Sequence, residues 1–166
     1  MADIDLEQEL TTIALQEEQL QFERFDASAA FAIGTRIKML AEKHGVAVAI
    51  DIQLHGWPLF YCAMAGTTPN NADWSRRKRN TVLRFHKSSY AIGLQLKQQN
   101  TTLAERYGVN PGDYVAAGGG FPVRLRGTGC VGAITVSGLS QKEDHELVVE
   151  VMAGFLGRPM EAFPAG

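Results

Sequence analysis

Three observations predict an α/β chain of the α+β kind, a single domain with a mainly antiparallel sheet and flanking helices. The elements alternate as helix, helix, hairpin, helix, hairpin, helix, an order that places helices against one or both faces of a sheet. Two strand pairs are joined by short turns rich in glycine, the pattern of hairpins. A length of 166 residues, with 45% hydrophobic and 20% charged side chains, suits one core, so residues 1–166 are expected to form one domain.

The first helix is expected at about residues 4–22, where Leu6, Leu10, Ile13 and Leu20 recur at helical spacing and Glu7, Glu9, Glu17 and Glu18 supply a charged face. Asp26 can cap a second helix, Ala27 to Lys43, which carries Phe31, Ile33, Ile37 and Leu40 and is stopped by Gly45. From Val46 to Leu54, Val46, Val48, Ile50, Ile52 and Leu54 alternate with Ala47, Ala49, Asp51 and Gln53, which predicts a strand. His55-Gly56 then turns the chain into a partner strand, PLFYCAM. Asn70 or Asn71 can cap the next helix, which runs to about Lys97 with a break near Lys87 to Ser89. After the NPGD loop, Val123 and Leu125 alternate with Arg124 and Arg126. Gly127-Thr128-Gly129 turns the chain, and CVGAITV returns. Ser140 and Glu143 match a capping box, so the last helix starts at Gln141 and ends near Gly157.

Glycine marks one region. Nine of the seventeen glycines fall between Gly108 and Gly138, which implies tight turns and close backbone approach there. Gly118-Gly119-Gly120 is not a phosphate loop, because no Gly-Lys-Ser/Thr follows and Phe121-Pro122 leads into a strand. Its amides could still meet an anion.

A net charge of -2 argues against a nucleic-acid or anionic-membrane binder. The N-terminal segment has acids where a signal peptide is basic, and no apolar run approaches the roughly 20 residues of a membrane span, so a cytoplasmic protein is expected. In a reducing compartment Cys62 and Cys130 read as two buried thiols rather than a disulfide.

The strongest charge feature is Arg76-Arg77-Lys78-Arg79, extended by Arg84 and Lys87. On a helical projection Trp74, Val82, Leu83 and Phe85 form the apolar arc. Lys78 and Arg79 fall within it, and Arg76, Arg77, Asn80 and Arg84 lie opposite. Two inward cations have three explanations: stems that snorkel outward, pairing with acids of this chain or a second subunit, or an anion-binding pocket. His44, His55, His86 and His145 lack paired spacing, which argues against a metal site, while His86 and His145 could each approach a pocket. Ser137 precedes Gly138 at a strand-to-helix connection without the full nucleophile elbow, and no catalytic set is identified.

The segments GGGFPVRL at Gly118 to Leu125, VGAITVSGLSQKEDHELV at Val131 to Val148 and WSRRKRNTVLRF at Trp74 to Phe85 resemble the heme-degrading-domain family typified by GlcG and HbpS. The basic helix is most similar to that of a subgroup of uncharacterised proteins, also found in fungi, and the likeness runs from about Leu6 to Phe155. The resemblance implies a profilin-like α+β fold, homo-oligomers, and binding of heme or another small molecule. The residues that match it, Arg76, Arg77, Lys78, Arg79, Asn80, Gly119, Gly120, Phe121 and Ser137, are candidates for a shared pocket or interface.

The reading that leads is an oligomeric cytosolic binding protein whose site lies where the basic helix meets the Gly-Gly-Gly-Phe-Pro loop. Arg76, Lys78 and Arg79 would hold an anionic group there, and heme would be ligated by His86 or His145. Two alternatives stand beside it: an enzyme degrading heme or acting on a small organic acid, and a protein-interaction or assembly module.

Overall fold

The computed structural model describes residues 2–160; of the expected domain, Met1 and residues 161–166 lie outside the described residues. Four strands, β1 (Ala49–Leu54), β2 (Trp57–Ala63), β3 (Gly120–Leu125) and β4 (Gly129–Ser137), form one antiparallel sheet in the order β2-β1-β4-β3. The helices are α1 (Ala2–Gln19), α2 (Ala27–Lys43), α3 (Pro69–Phe85), α4 (Ser89–Gln98), α5 (Leu103–Tyr107) and α6 (Gln141–Phe155). The α+β architecture with a mainly antiparallel sheet is as expected. Among the described residues no helix is long and apolar enough to cross a membrane.

Local signals set most boundaries. The Asp26 carboxylate accepts from Ala29 N at 2.9 Å and starts α2. That helix ends in paired bonds from Gly45 N to Glu42 O and from Val46 N to Ala41 O, with Gly45 left-handed at φ 67°. These bonds hold Val46 at the helix end, so the strand begins at Ala49 rather than Val46. His55 and Gly56 have φ of 53° and 75°, the doubly left-handed turn whose twist suits a two-residue hairpin. Ser140 Oγ accepts from Glu143 N and Glu143 Oε2 from Ser140 N, which completes the capping box of α6.

Other expectations are corrected. Thr68, not Asn70 or Asn71, caps α3, because Pro69 takes the first helical position, where its missing N–H costs nothing; Asn71 instead accepts from Thr68 N at 2.9 Å. The break in the long helix does fall near Lys87 to Ser89, as expected: His86 is left-handed at φ 56° and Ser88 caps α4. The first helix stops at Gln19 rather than residue 22, and the short α5 carries too few residues for a periodic signal. Phe31 is exposed, resting edge-on against Phe60 where α2 overhangs the edge strand β2. Cys62 and Cys130 are free thiols, half-buried rather than buried.

Helices cover both faces of the sheet. On one face Ile50, Ile52, Val123, Ile134 and Val136 meet Ile33 and Ile37 of α2 and Val148 and Met152 of α6, all fully buried. Each such side chain contributes about 1.5–3 kcal/mol by leaving water. On the other face α3 lies across β4, β3 and β1. There the register aligns Asp51, Thr135 and Gly120, with Ala49 beside Ser137 one step along. A Cβ on Gly120 would stand 2.8 Å from Val82 Cγ2 and 3.2 Å from the Lys78 carbonyl, so only glycine lets α3 approach this closely.

Candidate functional site

On the α3 face, small side chains leave room for long ones. Lys78, 3% exposed, reaches past Gly119 to the start of α6. Its Nζ donates to Asp144 Oδ2 at 2.9 Å and to the Val136 carbonyl at 3.1 Å. Gly119, at φ 134°, permits the passage, since a Cβ there would sit 2.8 Å from Lys78 Nζ and 2.3 Å from the Val136 carbonyl. Asp144 also accepts from the amides of Leu139 at 3.0 Å and Gly138 at 3.3 Å. Burial pushes the Asp144 carboxyl up and the Lys78 ammonium down; their mutual attraction and hydrogen bonding oppose both shifts.

Each of the other three cations of the cluster also has an acid of this chain. Arg79 pairs with Asp51, which is 3% exposed and whose carboxyl burial pushes up against the pull of Arg79. Arg76 reaches Asp73 at 3.0 Å, Asp113 at 2.9 Å and the Gly112 carbonyl at 2.8 Å, while Asn80 Nδ2 donates to the Asp113 carbonyl. Arg77 Nε donates to Asp73 Oδ2 at 3.0 Å, and its guanidinium lies 4.2 Å from the Trp74 ring centre. Of the three explanations for Lys78 and Arg79, pairing within the chain is the one observed. The helix face bearing Arg76 and Asn80 is covered by the Asn110–Asp113 loop.

Beside the Lys78–Asp144 pair opens a cleft of about 270 Å³. Its walls include Asn71 and Trp74 of α3, Ala117, Ser137, and Gln141 at the start of α6. Lys78 and Ser137 thus meet at the cleft, whereas Arg76, Arg79 and Asn80 are not among its lining residues. Phe121 is 1% exposed within the main core. The glycine amides are partly engaged: Gly120 N donates to Ser89 Oγ at 3.0 Å and Gly118 N to Gln141 Oε1 at 3.4 Å. Asn71, Gln141 and Asp144 escaped sequence reasoning, although an acid in the first turn of a capped helix following a Ser-Gly end of a strand was a usable signal for Asp144.

Neither histidine candidate lines this cleft. His86 is exposed at the end of α3. His145 is 2% exposed, with its Nε2 2.7 Å from Gln16 Oε1 of α1, its ring beside Tyr90 and Phe121, and Nδ1 without a partner among the described residues. Burial drives its pKa down to about 3, which keeps the ring neutral. Among the described residues, no group of three or more His, Cys, Asp or Glu is placed to hold a metal ion. As folded, the cleft does not fit histidine ligation of heme iron.

Comparison with known proteins gives the family and the fold. The family model described as "Haem degrading protein HbpS-like" matches residues 25–153, so α1 lies outside the matched span. The chain is 52% identical over 158 residues to a UPF0303 protein of Azotobacter vinelandii, covering 95% of each. Among solved structures it is similar to the Ybr137w protein, with a TM-score of 0.82 and 31% identity over 89% of this chain and 87% of that one. It is also similar to a double mutant of Streptomyces reticuli HbpS, with a TM-score of 0.65 and 26% identity over 83% of this chain and 90% of that one.

Proposed function

The chain belongs to the HbpS-like family, and from that premise we propose that it is a small-molecule-binding protein whose ligand enters the cleft between α3 and the start of α6. The observation that carries the reading is the convergence of Asn71, Ser137, Gln141 and the buried Lys78–Asp144 pair on one concave surface. A volume of about 270 Å³ suits a small polar molecule or one end of a larger one. Heme is the larger candidate, supported by the family description. A propionate could enter the cleft; ligation by His145 would require Gln16 and α1 to move aside, and His86 offers a ligand only at the surface.

The neutral balance of Lys78 and Asp144 shapes the chemistry. A carboxylate reaching Lys78 competes with Asp144, and protonation of Asp144 releases the ammonium group to it. Because burial already pushes the Asp144 carboxyl up, affinity for a carboxylate should rise as pH falls. Titration with heme, followed by its Soret band, and with small carboxylates by calorimetry tests the reading. Binding should weaken in Asn71→Ala and Ser137→Val. Unchanged affinity in both would remove the cleft from the site, and no binding of either ligand class would overturn the proposal.

A second reading, assembly into a homo-oligomer in the cytoplasm, has its own support. Phe31 and Met39 of α2 and Trp57 and Tyr61 of β2 are all more than half exposed, and β2 is an edge strand. Trp57→Glu should lower the mass measured by light scattering. An unchanged mass would exclude this surface.

A further inference from the structure

Arg77 and Lys78 are neighbours in sequence but serve different cavities. Lys78 lines the cleft described above, whereas Arg77 lines a second one, of about 600 Å³, between α4, α5 and the segment 111–116. The stacked pair of Trp74, which lines the first cleft, and Arg77 forms the partition between them. The floor of the second cleft is apolar, made by Leu96 and Leu103, which are 6% and 8% exposed, together with Gly93 and Ala116. Its rim carries Lys97 and Tyr114.

The electrostatics of the two clefts differ. In the first, the one lysine is matched by Asp144 at 2.9 Å. Among the described residues, the second has Arg77 and Lys97 in its lining and neither aspartate nor glutamate. Arg77 is 17% exposed in its side chain and uses only Nε on Asp73; among the described residues its two Nη groups have no acceptor, and Lys97 has no carboxylate partner. A guanidinium with both Nη groups unspent at the edge of an apolar floor is suited to an oxyanion attached to an apolar body. The volume falls within the range of organic-ligand sites, roughly 300–1,000 Å³.

We propose that this second cleft binds an amphipathic organic anion, with a carboxylate or sulfonate between Arg77 and Lys97 and a flat apolar body on the Leu96–Leu103 floor beside Tyr114. The inference does not rest on the reading of the first cleft. Titration with anilinonaphthalene sulfonate, followed by fluorescence and by amide chemical shifts, tests it. Saturable one-site binding is expected, with shifts centred on Gly93, Leu96 and Ala116. Lys97→Glu, a substitution at an exposed position, and Arg77→Gln should each weaken binding about tenfold, the scale of one lost charge-assisted contact. Lys43→Glu, on α2, should leave it unchanged. The neutral analogue phenylnaphthylamine should bind about tenfold more weakly for the same reason. Equal binding of the neutral analogue, or full affinity in Lys97→Glu, would overturn the proposal. So would shifts centred on Ser137, Gly138 and Gln141, which would assign the probe to the first cleft instead.

Discussion

The face of the sheet under α2 and α6 and the face under α3 are built by the same strands, one residue out of step. Ile50 and Ile52 point to an aliphatic core, while Asp51 between them meets Arg79. The first face gains stability by removing hydrocarbon from water. The second face removes four charges from most of their water, and such pairs gain little over well-packed apolar side chains of the same size. The polar face therefore contributes position rather than stability: it sets where α3 lies, and both clefts open beside that helix. Chemistry is retained on the face where packing alone would have been cheaper.

The largest break in this contrast should come from halving a buried pair. Lys78→Ala leaves Asp144 enclosed without its cation and should cost about 3–5 kcal/mol in urea unfolding. Lys78→Met combined with Asp144→Leu should recover most of that loss, because no charge is left buried. A double variant no more stable than Lys78→Ala would mean that the ion pair itself holds α3. On the opposite face, Ile134→Ala should cost about 2–5 kcal/mol from lost burial and the cavity left behind. Removing a second side chain should not restore it, because a cavity leaves no unpaired charge behind.

The same contrast explains what was legible in the sequence. The apolar face could be read directly: Val48, Ile50 and Ile52 alternate, and Asp26, His55-Gly56 and Ser140 mark ends through contacts within a few residues. The inward placement of Lys78 and Arg79 was also legible from the helical projection. Their partners were not, since Asp51 lies 28 residues before Arg79 and Asp144 lies 66 residues after Lys78. Periodicity reports which way a side chain faces and not what it meets. His145 shows the same limit, because the residue that encloses it, Gln16, is 129 residues away in α1.

His145 also supplies a pH test. Its folded pKa of about 3 lies below the ordinary value of 6.5, so between these the unfolded chain binds a proton that the folded chain refuses. The stability associated with a neutral His145 is complete well above pH 6.5 and is lost progressively as pH falls toward 3. Urea midpoints measured between pH 7 and pH 5 should fall accordingly. His145→Gln should flatten that slope, and an unchanged slope would remove His145 as its source; the buried Asp51 and Asp144 cannot supply it, because a carboxyl raised on folding adds stability as pH falls.

The smallest effect separates two networks at the start of α6. Ser140 and Glu143 close the capping box, whereas Asp144 binds the amides of Gly138 and Leu139 and, through Lys78, ties the helix to α3. Ser140→Ala removes one acceptor at an exposed helix end and should cost about 1 kcal/mol, or roughly 2–4 °C in Tm for a domain of this size. Because Asp144 still holds residues 138 and 139, the wall of the first cleft should keep its shape and its ligand affinity. If Ser140→Ala weakens ligand binding as strongly as it lowers Tm, the cap rather than the buried pair positions that wall. The polar face would then owe its geometry to a local signal written in four consecutive residues, 140 to 143.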